Sequence, residues 1–203
     1  MIKVNELKVL EYIEYKEYEE LKKYIEDEVK MQTKISKNDK SKIKAIARFS
    51  KKLVKNERPN LKGAYTVENK TMLTDGYRGL ILDCSLDDLP GIHKKNNDTE
   101  DFDLTKIADR PKDYKEFALD VEDMLLQYKK YKATKKEDKN KKSNLFKINE
   151  DLYVDIVYLK EMHDMLDLNE CKMYHGDRVS PIYLENEKFF DTVAILLPIR
   201  VEN

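Results

Sequence analysis

GAYTVENKTMLTDGYRGLILDC, residues 63–84, is the stretch whose reading sets the architecture. Its apolar and β-branched residues come in short runs, GAYTV, TML and YRGLILDC, separated by Glu68-Asn69 and by Thr74-Asp75-Gly76. Asp-Gly between two such runs is strong hairpin chemistry, because glycine accepts the positive φ of a tight turn and aspartate accepts hydrogen bonds from the backbone just ahead of it. The pattern predicts three successive antiparallel strands joined as a meander.

Toward the N-terminus, Ile43, Ile46, Phe49 and Leu53 recur at helical spacing and predict a helix that stops before Pro59. On a neighbouring face Lys44, Arg48, Lys51 and Lys55 form a basic stripe, which reads either as a solvated helix face or as a contact for phosphate. Earlier still, Tyr18, Leu21, Ile25 and Val29 predict an amphipathic helix over residues 14–31.

Toward the C-terminus, residues 87–105 hold Pro90-Gly91 and Asn96-Asn97 and read as a loop. Pro111 then opens a helical pattern through about Tyr131, with Phe117, Val121, Met124, Leu125 and Tyr128 on one face. The run from Lys132 to Ser143 has almost no apolar content and predicts a charged linker. Asn149 is a good helix cap, with Glu150 and Asp151 after it and with Leu152, Ile156, Leu159, Met162 and Leu166 as the buried stripe. CKMYH, VSPIYL and FFDTVAILLPIRV supply three further strand candidates. Helix, strands, interruption, helix, strands is an outline that occurs twice, and the fold class it predicts is α+β.

The chain has 203 residues, enough for one substantial core, and 39% of them are charged at a net charge of −1, so no global attraction to nucleic acid follows. No apolar run approaches the roughly 20 residues that span a bilayer, and no leader pattern opens the sequence, which predicts a cytoplasmic protein without membrane contact. Cys84 and Cys171 belong to no Cys/His cluster, so no metal site is expected and the two are read as reduced, partly buried thiols. Phosphate-loop, dinucleotide, metalloprotease and hydrolase signatures are missing, His93, His163 and His175 are scattered, and carboxylate pairs such as Asp87-Asp88 carry no specific geometry. Neither an enzyme nor a cofactor is expected.

Three passages add a resemblance. The basic helix running into Arg58-Pro59, Leu61 and Gly63, the segment Thr74-Asp75-Gly76-Tyr77-Arg78, and the pair Ser180-Pro181-Ile182-Tyr183 with Leu197-Pro198-Ile199-Arg200-Val201 resemble, in that order, one domain of the bacterial DNA polymerase sliding clamp, of a phage or prophage type. The resemblance covers residues 41–86 and 145–201. It divides the chain into a helical extension (1–40), a first clamp-like half (41–86), an insertion with a helix and a Lys-rich linker (87–144) and a second half (145–203).

The resemblance implies two helices packed on antiparallel sheets and a non-enzymatic, oligomeric replication platform. It places a pocket for a partner peptide at Thr74, Gly76, Tyr77, Arg78, Leu197, Pro198, Ile199 and Arg200, with an arginine at its rim. It places double-stranded DNA on Lys44, Arg48, Lys51 and Lys55. The implied partners are a polymerase or another replication or defence factor, and further copies of the chain. A monomeric clamp relative that modulates a host protein is the alternative. Two departures stand out: Gly79 occupies the position of a leucine, which predicts a shallower pocket, and Asp151, Asp155, Glu161 and Asp164 set an acidic second helix against the basic first one.

Overall fold

The computed structural model describes residues 37–95, 103–137, 144–149 and 151–201. The helix expected over residues 14–31 lies outside them. The chain divides into two compact units, Met1–Lys40 and Ser41–Asn203, and all of the sheet belongs to the second.

Three helices are present among the described residues: α1 (Lys37–Leu53), α2 (Val121–Glu137) and α3 (Ile156–Leu166). Nine strands accompany them: β1 (Tyr65–Val67), β2 (Lys70–Thr74), β3 (Arg78–Leu82), β4 (Lys115–Phe117), β5 (Leu145–Lys147), β6 (Tyr153–Asp155), β7 (Lys172–His175), β8 (Ile182–Asn186) and β9 (Thr192–Leu196). Seven form one sheet in the order β1-β2-β3-β9-β8-β7-β4, with every neighbouring pair antiparallel, and β5-β6 form a separate hairpin. The protein is α+β.

The duplicated outline is a property of this topology. α1-β1-β2-β3 and α3-β7-β8-β9 are two helix-plus-meander halves, and they meet where β3 pairs with β9. Strand side chains alternate between faces, so the directly paired residues Leu73, Leu80, Ala194, Leu184 and Met173 form one row across the sheet. All five are buried. Arg78 shares that face and lies over Phe49 of α1 and Tyr158 of α3, which identifies it as the helix-bearing side.

The opposite face is also covered. Tyr65, Met72 and Ile81 cluster there with Leu104, which comes from the interruption between the halves. Residues 103–114 run over this face as a strap. Tyr183 donates its hydroxyl to Ile107 O (2.8 Å), Arg110 pairs with Glu185 (3.1 Å) and lies 3.7 Å from the Tyr174 ring centroid, and Tyr114 meets Tyr183 edge-on at 5.5 Å. The strap then becomes edge strand β4. Gly79 now has a reason: a Cβ there would stand 3.1 Å from both methyls of Leu104, so the missing leucine makes room for the strap.

Several elements differ from their sequence expectation. Residues 115–117, expected as helix, are β4, and α2 starts only at Val121, where Asp120 Oδ1 accepts from Asp123 N (2.9 Å). The expected linker is helical as far as Glu137. Asn149 does not cap a helix; its Oδ1 accepts from Asp151 N (3.1 Å) and Leu152 N (3.0 Å) inside the β5–β6 turn, and Asp155 caps α3 instead through Val157 N and Tyr158 N. An Asx turn and an N-cap use the same side chain on the same backbone groups, so sequence alone does not separate them. In the final run only Thr192–Leu196 is strand; Phe189 and Phe190 lie in the preceding turn and Leu197–Val201 continue outside the sheet.

Candidate binding surfaces

The β2–β3 turn is built almost wholly from its own side chains. Thr74 Oγ1 donates to Arg78 O (2.8 Å) and accepts from Gly76 N (3.0 Å), while Asp75 Oδ1 accepts from Tyr77 N and Arg78 N, both at 3.0 Å. Gly76 sits at φ +90°, the conformation that selects glycine. Thr74 is buried and Gly76 exposed.

This turn drives Arg78 inward. Only 5% exposed, the arginine pairs with Asp75 through Nε (3.0 Å) and with Glu161 of α3 through Nη2 (2.6 Å). Its guanidinium carbon lies 4.6 Å from the Phe49 centroid and 4.4 Å from that of Tyr158. Nη1 has no hydrogen-bonding partner among the described residues, an unmet donor that the two ring faces compensate in part. Arg78 is therefore a bolt between the sheet, α1 and α3, not the rim cation expected from the sequence.

Tyr77, next in the turn, is 58% exposed, with its ring centroid 6.0 Å from that of Tyr158. Its carbonyl accepts from Leu197 N (2.9 Å), and two residues on Ile199 N donates to Tyr153 O of β6 (2.8 Å). The closing segment thus bridges the main sheet and the β5–β6 hairpin, and it brings Leu197, 38% exposed, beside Tyr77. Pro198 and Ile199 are half-buried and Arg200 is exposed. Of the eight positions expected to form a peptide pocket, Gly76, Tyr77, Leu197 and Arg200 are exposed, Pro198 and Ile199 half-buried, and Thr74 and Arg78 buried; the backbone bond from Leu197 to Tyr77 brings the two segments together.

α1 and α3 lie antiparallel, held near one end by Lys42–Glu170 (2.5 Å) and further along by Lys52–Glu161. Between them Ala45, Arg48, Phe49, Lys52, Glu161, Asp164 and Met165 line a cleft of about 220 Å³. Lys44, Arg48, Lys51 and Lys55 are all exposed, and none forms an ion pair among the described residues. The acidic groups opposite are less available than their number suggests. Burial pushes the Glu161 carboxyl up, but Lys52 and Arg78 outweigh it and hold the group below its usual range. Asp164 pairs with Lys160 (2.5 Å), Asp155 is committed to capping α3, and Asp151 lies in the β5–β6 turn. The basic stripe is left locally unbalanced.

Other reactive side chains are occupied structurally. Burial pushes both thiols, Cys84 and Cys171, up to about 12. His163 is pushed down by burial, and its Nδ1 accepts from Leu168 N (3.3 Å). No group of three or more metal-ligating side chains is placed to hold an ion among the described residues, and no helix there is long and apolar enough to cross a membrane.

The partners of Arg78 and of the closing segment, Phe49, Asp75, Tyr153, Tyr158 and Glu161, were not singled out as site residues from the sequence. Tyr158 and Glu161 are three apart on α3 and so share a face, a legible signal, but nothing in the sequence aims that face at residue 78. Neither protein-family models nor the curated proteins compared with the chain give a match.

Proposed function

We propose that the chain is a non-enzymatic binding protein of the sliding-clamp kind: a DNA replication platform assembled from several copies, holding a protein partner on the Tyr77–Leu197 surface and duplex DNA on α1. The observation that carries this reading is the hydrogen bond from Leu197 N to Tyr77 O. It joins two of the passages on which the resemblance rests, at the seam where two helix-plus-meander halves meet. Support also comes from the exposed stripe of Lys44, Arg48, Lys51 and Lys55, since cations without an ion pair among the described residues are the ones that release counterions from phosphate. With Arg78 committed internally, a partner peptide would lay aliphatic or aromatic anchors against Tyr77 and Leu197 and find its cation at Arg200.

A second reading, a monomeric clamp relative that modulates a host replication or defence protein, is favoured by the sheet edges. β1 and β4 have three residues each, and the backbone beside β1 is occupied where Ala64 exchanges hydrogen bonds with His93 and Lys95. Short, flanked edges suit a protein that avoids edge-to-edge joining. Light scattering of the full chain over a wide concentration range, with and without duplex DNA, separates the two. Concentration- or DNA-dependent assembly supports the platform; a strict monomer under every condition removes it and leaves the monomeric reading.

A further inference from the structure

The helix in the insertion carries a surface that the clamp reading does not use. On α2, Val121 and Met124 are buried, and the stripe they begin continues through Tyr128, Tyr131, Lys132 and Lys135. These positions are spaced three and four apart, so they share one face. α2 packs on α3, with Lys160 of α3 5.8 Å from the Tyr128 ring centroid, and the Tyr131 hydroxyl, with Asp155 at the start of α3 adding to it, raises the Lys135 pKa. The two helices therefore run antiparallel, and the face that is apolar at one end becomes tyrosine and lysine at the other.

That end alternates cations and rings. Lys132 lies 5.4 Å from the Tyr128 centroid and Lys135 5.5 Å from that of Tyr131, and Lys135 Nζ donates to the Tyr131 hydroxyl (3.1 Å). On the β5–β6 hairpin Lys147 repeats the pairing with Tyr153 at 5.9 Å. Lys132, Lys135 and Lys147 are exposed and the three tyrosines half-buried. Two nearby acids are engaged: Asp155 caps α3 and bonds to Asn144, and Asp164 pairs with Lys160.

We propose that this tyrosine–lysine face of α2 binds single-stranded nucleic acid. Lysines free to turn outward meet the phosphates, and the rings they leave offer π-faces to unpaired bases. Charge alone would accept any polyanion, but ring faces select one whose bases are not already stacked on each other, which excludes duplex as the preferred ligand. The proposal stands apart from the clamp reading, because its residues lie on the insertion and not on α1.

The test is fluorescence anisotropy of the full chain with a labelled oligothymidylate, the same length of oligouridylate, a duplex and polyglutamate, across a salt series. Salt-dependent binding to the single strands is expected, at least ten-fold tighter than to polyglutamate, with the two oligomers separating DNA from RNA as the source. Lys132→Glu with Lys135→Glu should weaken single-strand binding ten-fold or more and lower the salt slope by about 0.7 for each lysine lost. Tyr131→Ala should weaken it roughly ten-fold and Tyr131→Phe should restore it, since stacking needs the ring and not the hydroxyl. Lys44→Glu with Arg48→Glu should leave it unchanged while reducing duplex binding, so failure here and failure of the duplex reading are told apart. Absence of single-strand binding, equal affinity for polyglutamate, or indifference to the α2 variants would overturn the proposal.

Discussion

In the first half of the sheet, the β2–β3 turn sends Arg78 into the helix layer of the second half, where it meets Tyr158 and Glu161 of α3. In the second half, the β8–β9 turn sends Phe189 back toward the first, where Lys42 of α1 lies 5.0 Å from its ring centroid. The halves therefore exchange one side chain each, and the chemistry differs. Arg78 is held by ion pairs with Asp75 and Glu161; Phe189, 2% exposed, works by burial. Two equivalent outlines can be locked by unlike means, and the ionic lock is the one that sits directly beneath the Tyr77–Leu197 surface.

The largest effect that bears on this contrast is expected from Arg78→Ala. Removing one partner of a buried pair costs about 3–5 kcal/mol, and urea unfolding should register a loss of that size. A loss under about 1 kcal/mol, the range of an ordinary surface pair, would break the distinction between the halves. Next comes Asn186→Ala in the second half. Asn186 is fully buried, accepts from Lys188 N and Phe189 N, and donates to Leu166 O at the end of α3 (2.8 Å). Stranding those groups should cost about 1–3 kcal/mol.

A pH series sharpens the comparison further. Glu161 is held below its ordinary value of 4.5, so its contribution is complete above that pH and is lost as pH falls through the lowered native value. His163 is pushed below its ordinary 6.5 by burial, so the unfolded chain takes up that proton before the fold does and stability also falls as pH drops below 6.5. Urea midpoints should decline in two stages, with His163→Gln removing the first and Glu161→Gln the second. The smallest effect is a gain. Glu68 and Asn69, at φ 48° and 65°, form the two-residue β1–β2 turn. Replacing them with Asn and Gly, which suit two positive φ values, should raise stability by up to about 1 kcal/mol.

The meander at residues 63–84 was legible because turn chemistry and strand alternation agree there, and so was the buried face of α1. Asn149 misled because an Asx turn imitates a helix cap. Phe117 misled because a three-residue edge strand ahead of a helix shares its apolar spacing, and Lys132–Glu137 because a polar sequence stays helical once its first turns are anchored on α3. At the candidate site, the resemblance implied that Tyr77 and Leu197 share a surface, and the structure joins their backbones through one hydrogen bond. Sequence could not reveal which way Arg78 points, since that depends on Phe49, Tyr158 and Glu161 arriving from elements far apart in the chain. Nor could it foresee the strap, whose buried Leu104 fits opposite Gly79.

The most direct measurement on the platform itself is retention of the full chain on closed-circular and on linearised duplex of identical sequence, followed by gel filtration at moderate salt. An assembled clamp-like platform should stay with the circle and run off the linear molecule. Equal retention on both would mean simple surface binding through the α1 stripe, and no retention on either would contradict the account.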